Sequence, residues 1–136
     1  DLGADFGINY RTQDLTAEVR RITGGRGVNV VFENIADPDL FPKAFATLAR
    51  NGRLITAGAH GGGTVPLDVK HLYINFISVI GSVGKITHED LDFALGAAAE
   101  GRYRVLVDRV MPLAEAPRAH AIVAERAGIG KVVLEP

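Results

Sequence analysis

Three short apolar runs, each followed by small residues, dominate the pattern of the chain. They cover residues 28–32, 53–57 and 76–80 and are rich in β-branched and aliphatic side chains. Continuous apolar runs of this length are typical of strands buried on both faces of a parallel sheet. The residues that follow them are Glu33-Asn34-Ile35-Ala36, Gly58-Ala59-His60-Gly61 and Gly81-Ser82.

The segment before the first run has two different periodicities. Alternating apolar positions predict a strand over residues 6–10, and helical spacing predicts a helix over residues 15–22 that stops at the following glycine pair. Either Asp14 or Thr16 is expected to cap this helix.

Between the runs, helical segments predict crossovers. A helix is expected to begin near Asp37 or Asp39, with Pro38 in its first turn, and to end at Asn51-Gly52. A short helix is expected over residues 70–75. Strand, helix, strand at this pace predicts parallel pairing with right-handed connections.

The last third of the chain has a different pattern. Thr87 is expected to cap a helix that closes at Gly101. Strands are then predicted over residues 104–111 and 131–135, with a helix over residues 115–127 between them.

Composition narrows the possible functions. The 136 residues are 47% hydrophobic and 23% charged, with a net charge of −1 and no cysteine. One domain with a core is therefore expected, without disulfides or thiolate zinc sites within this chain. The charge gives no reason to expect nucleic acid or an anionic membrane as a partner. No run suits a bilayer span or a signal peptide, so a cytoplasmic location is expected.

The order and spacing of five phrases resemble the C-terminal half of the medium-chain dehydrogenase/reductases. That family includes zinc-containing alcohol dehydrogenases and zinc-independent quinone oxidoreductases, and the resemblance covers essentially the whole chain. The phrases are LGADFGINY, VNVVFENIA, LARNGRLITAGAHGG, ISVIGS and VMPLAEAPRAH…GKVVLEP.

The resemblance implies an α/β fold, a partial Rossmann-type parallel sheet with flanking helices. Residues 1–103 would be a truncated dinucleotide-binding domain, and residues 104–136 the segment that returns to the catalytic domain. The first βαβ unit, with its glycine-rich phosphate loop, and the GroES-like catalytic domain, with any zinc ligands, would precede Asp1. Without that unit, the strand at residues 6–10 must pair with residues 28–32, detach, or find a partner in another molecule.

The function implied is that of an NAD(P)H-dependent oxidoreductase. It would transfer hydride between nicotinamide and a carbonyl, quinone or enone; NAD and NADP stay open, and zinc could enter only through residues outside this chain. No catalytic residue or metal ligand is assigned here. The expected cofactor contacts are Asn34, Ile35, Ala36, Gly58, Ala59, His60, Gly81, Ser82 and Lys131.

Simpler explanations exist for several of these residues. A glycine after a strand is first of all a turn residue. A lone histidine such as His60 is more often solvated than functional. Lys131 is as well explained as a lysine that flanks an edge strand.

An alternative function is a non-catalytic structural piece. The apolar run from Phe76 to Ile80 is an edge strand in the family and favours a homodimer. Without the phosphate loop the pyrophosphate loses its helix N-terminus, so the isolated chain is expected to show no saturable NAD(P)H binding below millimolar concentration.

Overall fold

The computed structural model describes residues 3–125 and 128–136. Its helices are α1 (Leu15–Ile22), α2 (Leu40–Phe45), α3 (Val69–Ile74), α4 (His88–Ala99) and α5 (Ala116–Ala124), with a 3₁₀ turn at Leu113–Glu115. Its strands are β1 (Val28–Glu33), β2 (Leu48–Thr56), β3 (Ser78–Gly81), β4 (Val107–Pro112) and β5 (Lys131–Glu135).

The described residues form two compact units, each with a parallel sheet. Gly3–Gly84 contains a sheet of order β1-β2-β3, and Lys85–Pro136 contains the pair β4-β5. All these pairings are parallel, so the α/β class and the parallel crossovers are confirmed.

The core of the first unit lies between α2 and the sheet. Phe41 and Phe45 of α2 pack against Leu48 and Leu54 of β2, with Ile77 completing the cluster. Burial of these side chains is the main force holding the helix on the strands.

The predicted strand over residues 6–10 does not form. Phe6 is 64% exposed, and Phe6 and Ile8 are separated from Val28 by an open cavity of about 300 Å³. Of the alternatives for this segment, direct pairing with residues 28–32 is not found. A strand needs a ladder partner, and β1 bonds only to β2 among the described residues.

The helix after the first run is shorter than predicted. It begins at Leu40, with Pro38 before it, and stops at Phe45, so that β2 starts at Leu48 and runs through Asn51. Asn51 adopts a φ of 61° inside the strand, a conformation that asparagine tolerates better than most residues. The result is an irregularity within the strand, and the prediction that Asn51-Gly52 ends the helix was wrong.

The strands are not buried on both faces as predicted. Val30 and Phe32 of β1 are 43% and 67% exposed, whereas Val31 between them packs on the core. All of β3 is exposed. The core covers one face of this sheet, which explains the alternation.

Several local signals in the second unit were interpreted correctly, whereas the strand predicted over residues 104–111 begins later, as β4 (Val107–Pro112). Thr87 caps α4, with the Asp90 carboxylate accepting from the Thr87 N–H at 2.9 Å. The last strand has the predicted bounds. The helix predicted over residues 115–127 is α5, and its predicted end lies outside the described residues. Among the described helices, none has the length and apolar character needed to cross a membrane.

Candidate functional site

The ends of β1, β2 and β3 meet at one edge of the first sheet. Glu33 pairs with Thr56 in the β1–β2 register, and Thr56 pairs with Gly81 in the β2–β3 register. Because the strands are parallel, the three corners that follow them lie on the same side. We call this edge, residues 33–36, 57–61 and 81–82, the corner edge.

Backbone hydrogen bonds join the corners to one another. The Ala57 N–H donates to the Glu33 carbonyl at 3.0 Å, and the Ser82 N–H donates to the Thr56 carbonyl at 2.8 Å. The Gly61 N–H donates to the carbonyl of Ile35. The corner edge is therefore one connected backbone surface.

Two glycines of the second corner are required by packing within the protein. A Cβ atom at Gly58 would lie 2.4 Å from the Asn34 carbonyl oxygen, and one at Gly61 would lie 2.9 Å from the Asp37 Cα. At Gly81, by contrast, a Cβ would meet nothing within 4 Å. Gly58 thus serves the fold, whereas Gly81 borders open space.

The first corner also borders open space. Asn34 and Ile35 line a groove of about 190 Å³ beside β1, whose wall includes Val31, Leu40 and Ala44. The groove is mostly apolar, and Glu33 is also among the residues that line it. A planar ring system or a ribose would find both apolar surface and backbone polar groups here.

Glu33 is the residue at this edge that sequence reasoning did not single out. Its carboxylate Oε1 accepts from the N–H groups of Ile35 and Ala36, both at 2.6 Å, and its Oε2 accepts from the Thr56 hydroxyl at 3.3 Å. The residue is only 8% exposed. An acidic residue that ends an apolar run was the available signal, because a carboxylate in such a place needs donors nearby.

The remaining predicted residues are distributed differently. Ala59 and His60 are exposed on the loop after β2. Lys131 opens β5 in the second unit, where its N–H donates to the Leu106 carbonyl at 2.8 Å and its side chain is exposed. In the described part of the chain, no three histidine, aspartate or glutamate side chains come together as a metal site.

Asp68 and His71 lie close together at the start of α3 for a local reason. The Asp68 side chain accepts from the His71 backbone N–H at 2.9 Å and caps α3. The His71 ring packs edge-on against Phe45, with centroids 5.5 Å apart. This histidine is part of the packing around α3.

Comparison with known proteins identifies the family. The family model for zinc-binding dehydrogenases matches residues 2–134, and the chain belongs to that family. The medium-chain dehydrogenase/reductase resemblance is thereby confirmed.

Individual relatives agree with this assignment. The quinone oxidoreductase-like protein 2 of Bos taurus is 30% identical over 97% of this chain and 40% of its own length. The NAD-dependent alcohol dehydrogenase of Saccharolobus solfataricus is 33% identical over 98% of this chain and 38% of its own. A mycobacterial structure, determined in complex with NADPH, is 29% identical with a TM-score of 0.78, over 98% of this chain and 44% of its own. The chain thus spans about two-fifths of the length of the relatives it matches.

Proposed function

We propose that the corner edge is the nicotinamide side of a dinucleotide site in an NAD(P)H-dependent oxidoreductase of the alcohol dehydrogenase and quinone reductase type. The observation that carries this proposal is the parallel register, which puts three loops with small residues beyond the carboxyl ends of three neighbouring strands. Ligands of open parallel sheets bind at that position. The relatives support the same reading, since their names include NAD-dependent and NADPH-bound proteins.

The open backbone at Gly81 and the apolar groove beside β1 support the binding of a nicotinamide riboside. Open space at Gly81 allows a flat ring to approach the backbone at the end of β3. The groove at Asn34 and Ile35 has the apolar walls that a ribose and ring need. When bound, the cofactor supplies the hydride chemistry, to or from a carbonyl, quinone or enone.

Within this proposal the chain's own groups bind and orient the nicotinamide cofactor. Residues 34–36 contact the nicotinamide-side ribose, and residues 58–60 and 81–82 contact the carboxamide through backbone groups. Lys131 is proposed as a contact for a cofactor phosphate or ribose, because an ammonium is a suitable point charge for that role. Residues 1–103 are proposed as part of the dinucleotide-binding domain and residues 104–136 as the segment that packs with a catalytic domain.

A titration followed by amide NMR spectra tests the site directly. The ¹⁵N-labelled chain is titrated with NADH, NADPH, reduced nicotinamide mononucleotide and AMP. The nicotinamide ligands are expected to shift the amides of residues 34–36, 58–60 and 82 with millimolar dissociation constants, and AMP to leave these amides unmoved. Shifts confined to other regions, or none up to the solubility limit, would contradict the proposal.

A matched pair of variants localises the contact. Gly81→Ala adds a methyl group to open space on the corner edge, and Gly7→Ala adds one to open space elsewhere in the same unit. Neither glycine has a positive φ, so both variants are expected to fold. Weaker nicotinamide binding is expected for Gly81→Ala only.

We also propose the alternative role of a non-catalytic dimerisation piece, which the exposure of β3 favours. β3 is the outer strand of its sheet, and Val79 and Ile80 are 40% and 44% exposed. An apolar edge of this kind is a template for pairing with a second copy. Sedimentation equilibrium is expected to show a dimer that Val79→Lys dissociates, whereas Val30→Lys, on the strand at the opposite edge, leaves it intact. A monomer at all concentrations rules this role out.

A further inference from the structure

We infer that Glu33 is a positioning residue, whose carboxylate sets the shape of the first corner and ties it to β2, so that residues 34–36 are pre-organised for the nicotinamide-side ribose. This inference rests on the function proposed above. It assigns a task to a side chain that has no direct contact with the cofactor in that proposal.

The hydrogen bonds of Glu33 show how the corner is held. One oxygen, Oε1, accepts from two consecutive backbone N–H groups, those of Ile35 and Ala36, at 2.6 Å each. Two donors converging on one oxygen require the backbone to turn sharply around it. Ala36 indeed has a φ of 54°, a conformation that a non-glycine residue keeps only where its surroundings enforce it.

The second oxygen of Glu33 links the corner to the neighbouring strand. Oε2 accepts from the Thr56 hydroxyl, and the Glu33 main-chain carbonyl accepts from the Ala57 N–H. The corner is therefore anchored to the end of β2 by both the side chain and the backbone of one residue.

Glu33 itself is poorly placed to be a cofactor ligand. It is 8% exposed, and each carboxylate oxygen is engaged by a protein donor. The two carboxylate oxygens together accept from all three donors. Glu33 lines the groove together with Asn34 and Ile35, but its carboxylate oxygens already accept from Ile35, Ala36 and Thr56.

Three variants separate the effect of side-chain length, the effect of charge and the loss of the whole carboxyl group. Glu33→Gln keeps the length and one acceptor oxygen for the two N–H groups, and the Thr56 hydroxyl can rotate to accept from the new amide. Glu33→Asp keeps the charge but is shorter by about 1.5 Å, one carbon–carbon bond. Glu33→Ala removes both the acceptor oxygens and the charge.

The test measures amide hydrogen exchange at Ile35 and Ala36 and, separately, the dissociation constant for reduced nicotinamide mononucleotide. A positioning role predicts that Glu33→Asp and Glu33→Ala each speed exchange at both amides and weaken binding by about tenfold or more, because neither variant brings an acceptor within reach of both N–H groups. Glu33→Gln is expected to stay within about threefold of the parent chain in both measurements. If Glu33→Asp binds like the parent and Glu33→Gln does not, charge rather than position is what matters, and the inference is overturned.

A stability control separates positioning from general weakening of the fold. Phe45→Leu, in the core and outside the corner edge, lowers the stability of the same unit without changing Glu33. It is expected to leave nicotinamide mononucleotide binding unchanged at temperatures where the unit is folded. Equal weakening by Phe45→Leu and Glu33→Asp would mean that Glu33 acts only through stability. If Glu33→Ala does not fold, the comparison of Glu33→Asp with Glu33→Gln decides.

The outcomes also distinguish this inference from the proposed function. No response of the parent chain to the mononucleotide overturns the function of the site. Binding by the parent, with unchanged binding after loss of protection at Ile35 and Ala36 in Glu33→Asp, overturns the role of Glu33 alone.

Discussion

Gly58 lies directly against the main chain of Asn34. A Cβ atom at position 58 would lie 2.4 Å from the Asn34 carbonyl oxygen and 3.4 Å from its Cα. The loops after β1 and β2 therefore touch through backbone alone, and the shape of the corner edge depends on the absence of a side chain at one position.

The first prediction concerns this contact. Gly58→Ala is expected to lower the free energy of unfolding by about 1–3 kcal/mol, because backbone on both sides must move to admit the methyl group. Urea denaturation followed by far-UV circular dichroism measures it. Gly81→Ala, with open space around its Cβ, is the control and is expected to change stability much less. Equal effects of the two variants would refute this account of the contact.

A second prediction concerns the irregularity in β2. Asn51 has a φ of 61° and its N–H donates to the Asn75 carbonyl at 2.8 Å. Asn51→Val should destabilise the chain by about 1–2 kcal/mol, since a β-branched residue is strained in the left-handed region. Asn29→Val, in β1 and also exposed, should be neutral or slightly stabilising because valine favours strands. Thermal unfolding of both variants provides the comparison.

The third prediction compares how much two aromatic side chains, Phe45 and Phe32, contribute to the stability of the first unit. Phe45 is 2% exposed and Phe32 is 67% exposed. Phe45→Ala is expected to cost about 3–5 kcal/mol of unfolding free energy. The same change at Phe32 should cost only a small fraction of that. Chemical denaturation of the two variants at one pH is the measurement, and similar losses would show that the face bearing Phe32 is covered in solution.

The fourth prediction is a pH dependence at the start of α4. Hydrogen bonds from the backbone N–H and then the hydroxyl of Thr87 lower the pKa of the Asp90 carboxyl below its ordinary value. A carboxyl with a depressed pKa stabilises the fold above its unfolded-state pKa, and that stabilisation is lost as the pH falls through the folded-state pKa.

Asp90→Asn should therefore lower the melting temperature at neutral pH, with the difference from the parent closing at acid pH. Asp92→Asn removes the same charge from α4 outside the cap and serves as control. A Thr87→Ala variant keeps the backbone N–H and loses only the hydroxyl, so NMR titration of Asp90 should show its pKa rising part of the way toward the ordinary value. A pKa unchanged by Thr87→Ala would show that the hydroxyl contributes nothing and that the backbone N–H alone lowers the pKa.

Local signals predicted the elements that depend on local chemistry. Asp14 caps α1, Thr87 caps α4, and β5 (Lys131–Glu135) has the bounds predicted for the final strand. A cap needs only one side-chain acceptor and a free N–H a few residues away, so sequence alone reveals it. The parallel order of β1, β2 and β3 likewise follows from the alternation of strand and helix.

Which segments form strands depends on their pairing partners, and sequence periodicity does not show those partners. Residues 6–10 have the alternation of a strand yet form none, because a strand depends on a neighbour distant in the chain. Asn51 and Gly52 have the composition of a helix end, but the structure uses them inside β2. The role of Glu33 depends on three donors that gather around it only when β1 and β2 are paired.

The sequence by itself determined the family, the α/β class and the loops that form the candidate site. These depend on the order of strand and helix segments along the chain and on the small residues that follow each strand. Only the tertiary structure decided which small residues face open space, as Gly81 does, and which lie against another part of the backbone, as Gly58 does. Two glycines after two strands look alike in sequence. Their difference is a distance to another part of the backbone, and such distances exist only once the chain is folded.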